Sequence, residues 1–277
     1  MKKKIGIILA LVLISCMMVG TASAGLFDFL GGGSSNNATA NNDTTLIVGF
    51  DAEFPPYGFK DANGSYTGFD LDLAKEVSNR NNWTFKAQPI DWDAKDAELD
   101  SGSIDCIWNG FTIDGRENDY LWSNPYFDNK QVFVVKKEAG INNISGLKDK
   151  IVETQKDSSA LAALQGGNKS IADTFKTLTE VADYNTGFMD LESGACDAVA
   201  IDVGVAEYQI TQKNATDKFV ILNESITTEK YGVGFKKGNT ELKDQVQKTL
   251  DEMFKDGTVA KIAQKYGISE DALIQPK

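Results

Sequence analysis

The sequence predicts an α/β protein of two similar α/β lobes joined by a two-segment hinge, with a ligand cleft between them. Three observations predict it. Segments with strand character alternate with segments of helical period, the order that gives parallel sheets with crossover helices. One ten-residue phrase is written twice, as "SGSIDCIWNG" at 101–110 and "SGACDAVAID" at 193–202. The chain also crosses twice between the regions that hold the two copies, at 129–141 and 227–239.

Residues 1–24 join three lysines to an apolar run at 5–15 and to small residues at Ala22 and Ala24, the layout of an export signal. The run is shorter than a membrane span requires. "LISC" at 13–16 has the form of a lipobox, which would place a lipid on Cys16, whereas "ASA" before Gly25 suits cleavage that frees the protein. Both routes stay open, so the expected location is periplasmic or at the cell surface, lipid-anchored to the membrane under the first route. Residues 25–44 are rich in Gly, Ser and Asn and read as a flexible tether.

The first lobe opens with a strand at 46–50 that stops at Asp51, ahead of Pro55 and Pro56. Asn63-Gly64, between aromatic and β-branched residues, marks a hairpin. In "DLDLAKEVSNR" Leu73 and Val77 stand four apart behind acidic residues, so 70–80 is a helix, with Asp70 and Asp72 explained as its capping residues. A strand at 84–90 and a helix at 92–102 ended by Gly102 follow. After the first crossing, 147–164 repeats the order strand, polar loop, helix. After the return, Leu242, Val246, Leu250 and Phe254 recur at four-residue steps in a helix that Gly257 ends. The expected division is 45–135 with 230–277 for the first lobe and 136–229 for the second.

The repeated phrase has a structural meaning in that frame. In each copy a helix ends at a glycine, Gly102 or Gly194, an aspartate, Asp105 or Asp197, begins a strand, and the strand's carboxyl end carries polar residues. Those are Asn109 and Gly110 in one copy and Asp202 in the other. Ligands in open α/β sheets gather beyond strand carboxyl ends. A pocket between two hinged lobes is then a closing ligand trap. Cys106 and Cys196 lie within the two copies and read as small buried hydrophobes in strands of separate lobes, not as a disulfide pair.

At 42% hydrophobic and 25% charged residues, the composition is that of an ordinary globular chain. Its net charge of −12 becomes −15 once Lys2, Lys3 and Lys4 leave with the signal. That balance disfavours nucleic acid and anionic membrane surfaces and leaves small cationic or zwitterionic ligands compatible. The chain has no histidine, which removes His-based triads, His-ligated zinc and the commonest general base. Positive charge is carried almost entirely by lysine. Arg80 and Arg116 are the two arginines, and Arg116 follows the polar strand end, where its planar fork suits a carboxylate. A surface or interlobe salt bridge is the plainer alternative.

The segments "VGFDAEFPPYGF", "GFDLDLAKEV", "SIDCIWNGFTIDGRE", "WSNPYF", "LKDKIVETQKDSSALAAL", "CDAVAID" and "YGVGFKKGNTELKDQVQKTLDEMFKDGTVAKIAQKYG" occur in this order after the tether. Together they resemble the extracytoplasmic amino-acid-binding proteins of ABC transporters, solute-binding family 3, with the type II periplasmic-binding fold. The resemblance implies capture of a free L-amino acid and delivery to a membrane permease by lobe closure, without catalysis or cofactor, by a monomer. Arg116 would then hold the ligand's α-carboxylate and Asp202 its α-ammonium, or else Asp202 caps a helix. Phe54 and Trp92 would wall the side chain, and Asn109, Gly110, Thr112, Ser158 and Ser159 would supply polar contacts, with helix capping as the alternative for the two serines. Asp51 would either read the side chain or close the turn before the prolines. Two departures from the family pattern stand out. "TIDGR" has one residue fewer between Thr112 and Arg116 than many members have. Asp157 occupies a position where glycine is common, an unfavourable place for an acid unless it points outward or meets a cation.

The ligand expected on these grounds has a polar or cationic side chain. The alternative reading is a small-molecule enzyme on the same fold, such as a dehydratase, with Asp51, Glu53 or Asp157 as general acid or base. A sensory module would need a membrane span or signalling segment after Lys277. No metal is expected, since a calcium loop needs more regularly spaced oxygen ligands than this chain offers. Asn37, Asn42, Asn63, Asn82, Asn143, Asn168, Asn214 and Asn223 each begin an Asn-x-Ser/Thr acceptor triplet, more than composition alone would give, so glycosylation in the host is compatible.

Overall fold

A computed structural model describes residues 44–212 and 214–276, which lie in the compact unit Asn42–Lys277. The signal, Cys16 and the tether up to residue 43 lie outside the described residues. Strand β1 (Thr45–Phe50) is followed by three short strands, β2 (Glu53–Phe54), β3 (Gly58–Lys60) and β4 (Tyr66–Thr67), which form a small antiparallel sheet around the Asn63-Gly64 turn. Helix α1 (Phe69–Arg80), β5 (Thr84–Pro89), a 3-10 turn at Trp92–Ala94, α2 (Lys95–Ser101), β6 (Cys106–Ile107) and β7 (Leu121–Trp122) complete the first half. Strand β8 (Phe127–Lys136) crosses to the second half, which holds β9 (Ile151–Gln155), α3 (Ser159–Gln165), α4 (Lys169–Ala172), β10 (Thr177–Val181), α5 (Tyr184–Ser193), β11 (Ala198–Asp202), α6 (Val203–Gln212) and β12 (Phe219–Ile221). The return is β13 (Thr227–Tyr231), leading to β14 (Gly234–Phe235), α7 (Thr240–Lys255) and α8 (Thr258–Lys265).

Two larger sheets define the lobes. The first has the order β5-β1-β6-β14-β7, and the second β10-β9-β11-β8-β12, with β13 also on β8. Within each, the early strands are parallel: β1 with β5 and β6, β9 with β10 and β11. The two copies of the repeated phrase do the same local work. Gly102 and Gly194 end their helices in the left-handed conformation, at φ 79° and 85°. Asp105 and Asp197 stand one residue before their strands, not in them. The Asp105 amide donates to the Ile47 carbonyl and its carboxylate accepts from the Ile47 amide, at 2.8 and 2.7 Å. Asp197 does the same with Ile151, at 2.8 Å for both bonds. Asp105 thus locks β6 in register beside β1, and Asp197 locks β11 beside β9.

Two expectations are corrected. Strand β8 pairs with the second sheet along its whole length, from Phe127 opposite Tyr231 to Lys136 opposite Phe219. The second sheet therefore begins before residue 135 and continues past 229. Asp70 does not cap α1. It is fully buried and accepts hydrogen bonds from the Gly110 amide at 2.5 Å and the Tyr126 hydroxyl at 2.8 Å. Helix α7 ends as expected at Gly257, which follows the capping Asp256 in the left-handed conformation, φ 81°, and also precedes α8.

The two crossings run side by side. The Ser123 amide donates to the Val233 carbonyl at 3.0 Å and the Val233 amide to the Ser123 hydroxyl at 2.8 Å. Just beyond, Phe127 stacks on Tyr231 with ring centroids 5.4 Å apart, and Tyr57 packs edge-on against both. One apolar core runs through this knot, from Phe50, Leu73 and Val77 in the first half to Val134, Phe188 and Leu191 in the second. Cys106 and Cys196 are buried and free.

Candidate functional site

The carboxyl end of β6 and the loop after it form one wall of the cleft. Asp70 fixes this loop from below through the Gly110 amide. Gly110 adopts φ 56°, and a Cβ there would stand 2.7 Å from the Phe54 ring, so both conformation and space require glycine. Asn109 is buried with its Oδ1 unpartnered. Arg116 reaches back over the loop. Its guanidinium lies 5.4 Å from the Phe111 ring centroid and donates to the carbonyls of Thr112 at 3.3 Å and Asp157 at 3.0 Å. No carboxylate among the described residues pairs with it. The other arginine, Arg80, is by contrast spent on Glu76 and Asp256, at 2.8 and 2.7 Å.

The opposite wall is acidic. Asp202, at the end of β11, accepts at Oδ1 from Asn129 Nδ2 (2.7 Å), Gln131 Nε2 (2.8 Å) and the Tyr231 hydroxyl (2.6 Å). Glu229 Oε1 accepts from the same Asn129 and Gln131 nitrogens at 2.8 Å each, and from Thr112 Oγ1 at 2.9 Å. Both acids are buried, and no lysine or arginine among the described residues forms an ion pair with either. Burial first, and the nearby Glu229 charge second, push the Asp202 carboxyl up from 3.8 to about 8.

Between these walls lies a cavity of about 20 Å³, lined by Phe54, Trp92, Asn109, Gly110, Thr112, Arg116, Gln155, Ser158, Ser159 and Asp202. Every ligand-contact residue named from the sequence except Asp51 is there. Ser158 caps α3, accepting from the Leu161 amide at 3.1 Å, and also faces the cavity. Ser159 Oγ accepts from Gln131 Nε2 at 2.8 Å and donates to Glu229 at 3.2 Å. Asp51 stands one residue further out. Its Oδ1 closes the turn by accepting from the Glu53 amide at 2.8 Å, and its Oδ2 accepts from Gln155 Nε2 across the cleft at 2.6 Å. Burial raises its carboxyl to about 6. Asp51 lines a wider groove of about 670 Å³ with Glu53, Asp91, Asp93, Glu180 and Asp183, and Trp92 is the wall shared with the small cavity.

Glu229, Asn129, Gln131 and Gln155 were not singled out in the sequence. The signal was present for three of them: Phe127, Asn129 and Gln131 alternate with exposed residues along β8, as do Glu229 and Tyr231 on β13. Period-two burial of polar residues places them on an inward face where they must find partners. Trp108 proves to be core, fully buried and 6.3 Å from Tyr126 by ring centroids.

Asp157 takes the left-handed conformation, φ 56°, that explains why glycine suits the position. Its carboxylate turns away from the cavity and meets Lys95, a buried cation on α2 of the other lobe. Lys156 with Asp93 and Asn185 with Glu53 make further polar contacts across the cleft. Among the described residues, no group of three or more Cys, Asp or Glu side chains is arranged to hold a metal ion, and no helix is long and apolar enough to cross a membrane.

Residues 46–269 match the family described as bacterial extracellular solute-binding proteins, family 3. The L-cystine-binding protein TcyJ of Escherichia coli K12 is 30% identical over 225 residues, 80% of this chain and 82% of that one. A histidine-bound substrate-binding protein of an ABC uptake transporter from Streptococcus pneumoniae is 33% identical, with a TM-score of 0.79 over 82% of this chain and 94% of that one. An ancestral arginine-binding protein, solved with arginine and with glutamine, is 37% identical with TM-scores of 0.74 and 0.72 over 80% of this chain and 97% of that one. The chain belongs to the bacterial extracellular solute-binding proteins, family 3.

Proposed function

We propose that the protein captures a free L-amino acid between its lobes and presents the closed form to an ABC-transporter permease. The observation that carries this reading is an unfilled charge pattern facing one cavity. Among the described residues Arg116 pairs with no carboxylate and the Asp202–Glu229 pair with no lysine or arginine, which is the negative image of a zwitterion. Arg116 and Ser158 take the α-carboxylate, over the loop that the Gly110 amide ties to Asp70. Asp202 takes the α-ammonium, and Phe54 and Trp92 flank the side chain. The acidic groove beyond Trp92 favours a polar or cationic side chain, which Asp51 would meet first. The cavity has room for only about one water molecule, so an amino acid enters when the lobes part and is enclosed when they close. Closure is favoured because the ligand contacts both lobes at once. Attachment through Cys16 would hold the receptor near its permease. The amino acids named for the relatives and the binding role of those proteins support a receptor over an enzyme.

Thermal unfolding of the chain, refolded from denaturant to remove carried-over ligand, tests the reading against all common L-amino acids at millimolar concentration. One or a few are expected to stabilise the fold by about 4 kcal/mol at a thousandfold excess over Kd. A panel without any shift would contradict it.

The lobe-spanning ion pair gives a second prediction. Asp157→Gly preserves the left-handed backbone but leaves Lys95 buried without its carboxylate. Loss of such a pair is expected to speed release of the bound amino acid about tenfold, with little change in on-rate. Stopped-flow dissociation checks this, and an unchanged off-rate would show that the pair takes no part in closure.

A further inference from the structure

The arrangement of Asp202 and Glu229 carries a consequence for the thermodynamics of binding, resting on the amino-acid reading above. Strand β8 runs between β11 and β13, with Asp202 opposite Gln131 and Glu229 opposite Asn129. The two carboxylates therefore flank one strand and converge on its two amide nitrogens. Asn129 Nδ2 bonds Asp202 and Glu229 at 2.7 and 2.8 Å, and Gln131 Nε2 bonds each at 2.8 Å. Two oxygens sharing two donors lie no further apart than the sum of those bonds. Like charges so close, buried, and without a cation cannot both stay ionised at low cost.

The surroundings offer little compensation. From β13, Tyr231 donates its hydroxyl to Asp202, while Lys230 is exposed on the other face. From β8, Lys130 is likewise exposed. The loop after β6 contributes the Thr112 hydroxyl to Glu229 and places Arg116 across the cavity, donating to two carbonyls. Asp157, before α3, is held by Lys95. Tyr57 and Tyr184 approach as buried phenols, and Asp51 lies beyond Gln155.

We propose that Asp202, held beside the buried Glu229 carboxylate, carries one proton before ligand binds and that capture of an amino acid's α-ammonium expels it, making binding proton-coupled and tighter as pH rises. The balance is simple. The ammonium keeps its three protons, one proton passes from Asp202 to solvent, and the ligand's cation replaces it. The raised Asp202 carboxyl agrees with this direction.

Calorimetric titration of the full chain with L-arginine, L-lysine and L-glutamine, whose own groups stay fixed between pH 6 and 8, tests it. Runs at pH 7 in phosphate and in Tris separate the heat of buffer protonation. The expected result is close to one proton released per ligand, with Kd falling about tenfold per pH unit from 6 to 7 and levelling above about 8. Glu229→Gln keeps a hydrogen-bond acceptor but removes the like charge, and is expected to bind with less proton release at pH 7 and a pH profile that levels at lower pH, since the burial of Asp202 remains. Asp173→Asn, which removes an exposed carboxylate paired with Lys169, is expected to leave the proton count at pH 7 unchanged. Binding without proton release, or release unaffected by Glu229→Gln, overturns proton coupling and leaves the amino-acid reading standing. Failure of all three ligands, together with an unresponsive amino-acid panel, overturns the reading itself and the coupling with it.

Discussion

Replacement of Arg116 by alanine is expected to weaken amino-acid binding by more than a hundredfold while leaving the ligand-free fold nearly as stable as before. Both halves follow from how the side chain is held. Arg116 donates to two backbone carbonyls and lies over Phe111, with no acid among the described residues depending on it. Its removal leaves no buried charge unpaired, so the ligand-free cost should stay near ~1 kcal/mol. With ligand, the same truncation strands an α-carboxylate in a closed cleft, where loss of a charge partner costs about 2–5 kcal/mol. Arg116→Lys should fall between, because an ammonium cannot reproduce the two parallel bonds of the guanidinium. Titration calorimetry for affinity and denaturant unfolding for stability separate the two effects. A variant that is unstable without ligand yet binds normally would assign Arg116 to the plainer interlobe role.

Asp202→Asn should divide affinity and stability in the opposite sense. Asparagine keeps an oxygen for Asn129, Gln131 and Tyr231 but offers no charge to an ammonium, so binding should again fall more than a hundredfold. The ligand-free fold, however, should gain from the change as pH rises. In the unfolded chain Asp202 loses its proton near its ordinary value of 3.8, whereas in the fold it does so near 8. Between those limits the folded state binds more protons, and its stability falls with rising pH. The substituted amide has no proton to lose, so the variant should match wild type near pH 4 and exceed it by a few kcal/mol near pH 8. Urea unfolding at pH 5 and pH 8 without ligand measures the difference. A wild type that gains on the variant as pH rises would contradict the burial argument.

Much of this was legible in the sequence because it is local. The repeated phrase specified a glycine stop and a strand whose carboxyl end faces the cleft, and Asn109, Gly110 and Asp202 follow from it, whereas the bonds of Asp105 and Asp197 to Ile47 and Ile151 join distant segments and were not readable. The scarcity of arginine singled out Arg116. The partners of those residues were less legible because they are distant in the chain. Glu229 reaches Asp202 only because β11 and β13 flank β8, a pairing of strands set by topology and not by any local pattern. Asp70 shows the same limit. Its place in the first turn of a helix suggests capping, but burial beneath the Gly110 loop gives it a different task. Asp157 lies between these cases. Its unsuitability beside a carboxylate was readable, as was the need for a cation, but Lys95 could be found only from the way α2 faces the second lobe.

The central claim is that the cleft reads both charges of a free amino acid, and the most direct test changes the ligand and leaves the protein intact. The amino acid selected by the unfolding panel should be titrated calorimetrically beside its α-carboxamide and its N-acetyl derivative. The carboxamide lacks the charge assigned to Arg116, and the acetylated form lacks the charge assigned to Asp202. Each is expected to bind at least about a hundredfold more weakly than the parent, about 3 kcal/mol or more. Binding of either derivative within about threefold of the parent would show that its missing charge is not read, and would contradict the account.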